Sequence, residues 1–168
     1  MLPVLSLLLA FSAYAKDPCK GVRTFPDAIT GQTEARAAVV GPAIPVGTVM
    51  VFVSDQDGTR AQLSFQQQTA VDGWPAVGEE VQIRAGDAVL VLPNSTFTPP
   101  KMEIGASGNI TTTMTYTLVL EPNQLEQLAA HPVSVIRYGA TDHVRDWGPS
   151  TKRATKIQSI AECFLSLT

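Results

Sequence analysis

The stretch Val46–Gln66, VGTVMVFVSDQDGTRAQLSFQ, decides the fold. Asp57-Gly58 lies between two runs rich in β-formers, and a two-residue type I′ turn needs positive φ at both central residues, which Asp-Gly tolerates. With those two residues at the tip, Gln56 faces Thr59, Ser54 faces Ala61, Phe52 faces Leu63 and Met50 faces Phe65. These pairs share one apolar side. The other side pairs Val53 with Gln62, Val51 with Ser64 and Val49 with Gln66. A slip of one residue would exchange the two faces and destroy the agreement. The first strand is apolar on both sides, which predicts a central strand covered twice. The second alternates, which predicts a place nearer an edge.

Outward from the hairpin, 168 residues suffice for one domain with a real core. A hydrophobic share of 45%, a charged share of 16% and a net charge of −3 describe an ordinary globular chain. They carry no electrostatic footprint for nucleic acid. Residues 1–15, MLPVLSLLLAFSAYA, read as a secretory leader with a small-x-small cleavage site at Ala13-Tyr14-Ala15, although no Lys or Arg precedes the apolar run. The run is too short to span a bilayer comfortably, so the chain from 16 to 168 is expected to be one domain without a transmembrane segment. Lys16-Asp17-Pro18 before Cys19 does not suit a lipobox, so a lipoprotein is the weaker reading. In an oxidising compartment the two remaining cysteines, Cys19 and Cys163, predict one disulfide that closes nearly the whole domain.

Residues 16–32 read as an irregular lead-in and 33–40 as a first strand stopped by Gly41-Pro42. Residues 66–78 form a loop with Trp74-Pro75, where Trp74 either stacks on a ligand or folds back over the core. Strands are expected over 80–84 and 88–92, joined at Ala85-Gly86-Asp87. Residues 93–108 are the longest unstructured-looking stretch. Asn94 and Asn109 each open a glycosylation sequon. Residues 109–121 make the longest strand, with Ile110, Met114, Tyr116, Leu118 and Leu120 on one side and Thr111, Thr113, Thr115 and Thr117 on the other. A helix over 122–130 carries Leu125, Leu128 and Ala129 on one face. A strand follows over 133–138, of undecided direction. Residues 139–149 read as a polar loop. Ser150 opens a last helix reaching about Leu165, with Ala154, Ile157, Ile160, Ala161 and Phe164 as its stripe. The basic residues Lys152, Arg153 and Lys156 sit at the wrong end for the helix dipole, which suggests pairing with Asp142 or Asp146.

The densest chemical set is Asp142, His143, Arg145, Asp146 and Trp147. Asp with His can hold a metal or form an acid–base pair, but no further ligand has a recognisable spacing, and a structural polar loop or a partner contact explains the set as well. Asp55-Gln56-Asp57-Gly58 resembles the opening of a calcium loop but lacks its closing Glu, and the hairpin accounts for it better. The sequence contains no nucleophile elbow, P-loop, zincin or dinucleotide motif. No catalytic residue, metal ligand or cofactor is therefore assigned.

The Asp27-Ala-Ile-Thr-Gly31 lead-in, the hairpin-rich sheet, the long Thr-rich strand and the short Leu125/Leu128 helix follow one another in order. Ile136-Arg137-Tyr138 and a C-terminal helix with a Cys complete a layout that resembles small exported bacterial proteins of unknown function. The resemblance implies an α+β fold and carries no functional residue. The expected architecture is a mainly antiparallel sheet, one sheet or a two-sheet sandwich, with a short helix and a C-terminal helix packed on it. The expected function is a non-enzymatic exported domain, periplasmic or secreted, that binds an envelope protein or ligand, with Trp74, Asp142, His143, Asp146 and Trp147 as candidate contacts. The alternative is a small secreted hydrolase or metal-dependent enzyme using the 142–147 loop. An exposed aromatic patch of Trp74, Phe97 and Trp147 would favour binding. Convergence of the 142–147 side chains in a cleft would favour catalysis.

Overall fold

The computed structural model describes residues 17–26, 28–41, 48–67, 75–105, 108–139 and 144–167. In chain order the elements are β1 (Arg23–Pro26), β2 (Thr33–Val40), β3 (Thr48–Asp55), β4 (Gly58–Gln67), β5 (Glu80–Ala85) and β6 (Ala88–Pro93). They continue with β7 (Lys101–Ile104), β8 (Ile110–Leu120), α1 (Pro122–Ala130), β9 (Val133–Tyr138), β10 (Arg145–Trp147) and α2 (Thr151–Leu165). The fold is α+β. A six-stranded sheet has the order β1-β2-β3-β4-β8-β7, and a four-stranded sheet the order β10-β9-β5-β6. The pairings are antiparallel, which settles the direction of β9. The expected leader lies outside the described residues. Among those residues no helix is long and apolar enough to cross a membrane.

The β3–β4 hairpin buries the anticipated face: Met50, Phe52, Ala61 and Leu63 are completely buried, and Ser54, Thr59 and Phe65 nearly so. Its register, however, differs by two residues from the expected one. Phe52 pairs with Ala61, Met50 with Leu63 and Thr48 with Phe65, because the turn is Gln56-Asp57 rather than Asp57-Gly58. Gly58 alone takes positive φ (115°), and Asp57 N–H donates to Asp55 Oδ1 at 2.9 Å. A turn with negative φ at Gln56 and Asp57, closed by a positive-φ glycine, replaces the type I′ turn. A shift of two preserves side-chain parity, so the faces survive the wrong register. The strand expected near an edge, β4, lies inside the sheet between β3 and β8. In the second hairpin Gly86 takes φ 59°, and a Cβ there would meet the His131 ring at 3.0 Å.

One core joins everything. Phe65, Tyr116 and Tyr138, from β4, β8 and β9, pack together between the sheets with centroids 4.7–6.3 Å apart, Phe65 stacked on Tyr116 and Tyr138 set at an angle to both. Phe164 of α2 meets Phe52 of β3 edge-on at 6.5 Å, so the helix lies on the core face of the larger sheet. The anticipated stripe of α2 (Ala154, Ile157, Ile160, Ala161, Phe164) is buried. Leu125 and Leu128 bury α1 beside it, and Gln158 Nε2 donates to Ala129 O at 2.8 Å. Cys163, fully buried on α2, is disulfide-bonded to Cys19, which ties the start of the described chain to the core.

Three short strands fall in stretches expected to be irregular: β1 in the lead-in, β7 within 93–108 and β10 within the 139–149 loop. Each is the outermost strand at one border of its sheet, and β7 lies there beside the longest strand, β8.

Candidate functional site

Of the residues singled out in sequence, Trp74, Asp142 and His143 lie outside the described residues. The two described ones part company on β10, because neighbours on a strand face opposite ways. Trp147 pairs with Ile136, is 6% exposed and belongs to the core. Its ring packs where a Cβ on Gly41 would approach within 3.3 Å, and its Nε1 has no acceptor among the described residues. Trp147 is thus not part of an exposed aromatic patch. Asp146 pairs with Arg137 on the outer face of the smaller sheet, in a two-bond ion pair at 2.7 and 2.8 Å. The guanidinium holds the Asp146 carboxyl below its usual range. Asp146 thus pairs with Arg137 rather than with the basic start of α2, the alternative partner Asp142 lies outside the described residues, and Arg153 donates to Val40 O at 2.7 Å.

At the hairpin tip the Asp55 carboxylate is also engaged. Asp55 accepts from Arg60 and from the Asp57 amide. Among the described residues no three His, Cys, Asp or Glu side chains are grouped to hold a metal.

The polar joint between the sheets is made by residues whose role has no signal in the sequence. Asn94, just after β6, is 1% exposed and fully used. Its amide nitrogen donates to Pro75 O (3.3 Å) and Ala76 O (3.0 Å), and its Oδ1 accepts Thr117 N–H at 2.9 Å. Its backbone bonds Glu79 O and Gly78 N–H. Beside it, the buried Tyr116 hydroxyl donates to Glu79 and also meets the Gly139 backbone. Burial first, and the Glu79 carboxylate second, push the Tyr116 phenol well above its usual range. A phenol held neutral in this way is a structural donor, not an acid–base group working near neutrality.

The other feature is the β7 edge. All four residues of β7 are exposed, and among the described residues the strand pairs with β8 alone. Met102 is 67% exposed, Ile104 77% and the adjoining Ile110 38%. Met102 and Ile104 lie on the same side as Met114 and Tyr116, because β7 pairs directly across β8. The core face of the larger sheet therefore runs on past its buried part into an uncovered apolar corner. On the opposite side, Lys101 and Glu103 form an exposed ion pair at 2.6 Å, the carboxylate raising the ammonium and being lowered by it.

The free backbone of this edge can be read from the ladder. Gly105 N–H donates to Asn109 O at 2.8 Å, in register with the β7–β8 pairing. Alternation along an antiparallel ladder then turns the N–H and C=O groups of Ile104 and Met102 away from β8 and out of the sheet. The signal was present in sequence as the alternation Lys-Met-Glu-Ile, but at four residues it is at the lower limit of the runs from which strands are recognised.

Comparison with protein-family models, with curated proteins and with solved structures finds no match to this chain.

Proposed function

We propose that this protein is a non-catalytic exported domain that binds a protein partner at the cell envelope, and that it does so by adding the partner's strand to β7. The observation that carries the reading is the β7 edge, where outward backbone groups stand beside the exposed side chains of Met102 and Ile104. Strand addition takes affinity from main-chain hydrogen bonds and specificity from alternate side chains, and this edge offers both. At the other borders the exposed apolar side chains are less open: Val89 and Val91 on β6 are 48% and 43% exposed against 67% and 77% for Met102 and Ile104, and on β1 Phe25 is packed under the Arg36 guanidinium at 5.5 Å. Export is supported by the leader-like residues 1–15 and by the disulfide, which persists in oxidising compartments.

The test is a photo-reactive amino acid placed at Ile104 in cells that export the protein, with the same probe at exposed Glu126 on α1 as control. Adducts at position 104 and none at position 126 support the reading. No adduct at position 104 overturns it.

A further inference from the structure

We propose that the strand received by β7 is β7 of a second copy, so that the protein forms a twofold dimer by antiparallel edge pairing centred on Met102. The inference rests on the reading of β7 as a strand-receiving edge.

The backbone sets the first condition. Only residues whose N–H and C=O point outward can bond across the new junction, and on β7 these are Met102 and Ile104. With Met102 opposite Met102 of the second copy, each donates its N–H to the other's carbonyl. Ile104 of each copy then lies opposite Pro100 of the other, where its N–H meets the Pro100 carbonyl. Proline has no N–H to leave unpaired at that position.

Charge then selects the register. In the pairing centred on Met102, Lys101 of each copy faces Glu103 of the other in the closely spaced, non-hydrogen-bonded positions. Sliding the second copy by two residues in one direction sets Glu103 against Glu103, and in the other sets Lys101 against Lys101. Opposed like charges disfavour both alternatives. The unlike pairs occur twice, as a twofold axis requires of a self-complementary patch. The same charges protect the edge from strands of other composition, which is how exposed edges are usually kept from promiscuous pairing.

Apolar burial completes the fit. On the face opposite the charges the two Met102 side chains meet across the axis, flanked by Ile104 and Ile110. The two six-stranded sheets become one continuous sheet, and the uncovered apolar corners cover each other. Four residues a side make a small interface, so the dimer should dissociate on dilution.

Sedimentation equilibrium of the purified oxidised protein over a dilution series tests this. The wild type is expected to approach twice the protomer mass at the concentrated end. Lys101→Glu should weaken association by at least about tenfold, since it sets like charges opposite one another. The double reversal Lys101→Glu with Glu103→Lys should restore it, because the unlike pairs return with exchanged signs. Both side chains are exposed, so neither variant disturbs the core. A wild type that stays monomeric throughout, or variants that all associate alike, overturns the dimer. A monomer that still gives an adduct of foreign mass at position 104 overturns self-pairing alone and leaves the strand-receiving edge standing. An adduct of dimer mass supports both, and no adduct overturns both.

Discussion

Asn94 Oδ1 lies 2.9 Å from the backbone nitrogen of Thr117, and through that bond the end of β6 in the smaller sheet is fastened to the middle of β8 in the larger one. The amide hydrogens of the same side chain hold the carbonyls of Pro75 and Ala76. Asn94→Ala should therefore leave the buried Thr117 N–H and the Pro75 carbonyl short of partners, while the Ala76 carbonyl keeps the Glu79 N–H, at a cost of about 3 kcal/mol. A urea melt showing less than about 1 kcal/mol would mean that water replaces the amide and that the joint is not closed.

The same burial decides the two sequons. A glycan on Asn94 would have to break three side-chain bonds at a residue 1% exposed, whereas Asn109 is exposed in the β7–β8 turn. Expressed in a glycosylating host, the folded secreted fraction should be occupied at Asn109 only. Peptide mapping that finds Asn94 occupied in folded protein would contradict its burial in the joint.

Phe52 is completely buried and sits edge-on to Phe164, linking the central hairpin to the C-terminal helix. Phe52→Ala should cost about 3–5 kcal/mol, as large-to-small core changes do. Its strand neighbour Val51, half-buried on the opposite face, should lose less than about 1.5 kcal/mol on truncation to Ala. Equal losses at the two positions, measured by denaturant melts, would contradict the assignment of the faces.

The disulfide spans 144 residues of sequence. In the chain-entropy model a loop of that length contributes up to about 5 kcal/mol. Reduction should accordingly lower the melting temperature sharply, and Cys19→Ser should match the reduced wild type. Free thiols titrating in the native, non-reduced protein would sink the pairing.

Tyr116 gives a pH dependence of known sign. Its folded-state pKa is raised by burial and by Glu79, so the stability it contributes is full below the unfolded value of about 10 and is lost as pH rises beyond it. In a titration at 295 nm Tyr116 should stay silent until the protein unfolds. In Glu79→Gln it should ionise at lower pH than in the wild type. A normal Tyr116 titration in the folded wild type would contradict the pairing.

Much of the fold was legible because its signals are periodic. The strands Thr33–Val40 and Val133–Tyr138 and the helix Pro122–Ala130 have the bounds their apolar patterns predict, and α2 follows its stripe from Ser150 onward. The hairpin was legible in its faces but not in its turn. Asp57-Gly58 fits a two-residue tip as readily as a tip closed by Gly58, and only the backbone angle tells them apart. The short border strands β1 and β7 were not legible, since β1 carries no apolar alternation and the alternation of β7 is only four residues long, and neither strand buries a residue against the core. The candidate site suffered from the same limit. Asp146 and Trp147 stood out as chemical residues, yet strand alternation sends one to solvent and the other to the core. Asn94 and Glu79 look like ordinary loop residues until β6 and β8 are brought side by side.

The open β7 edge can be observed without a partner in hand, through amide exchange at two neighbouring residues, Glu103 and Ile104. Glu103 N–H belongs to the β7–β8 ladder, while Ile104 N–H points out of the sheet. In dilute oxidised protein Ile104 should exchange much faster than Glu103, and it should become protected when the edge receives a strand, whether from a second copy at high concentration or from an envelope partner. An Ile104 amide as protected as Glu103 in the dilute chain would mean that the edge is already covered, and would contradict β7 as a strand-receiving edge.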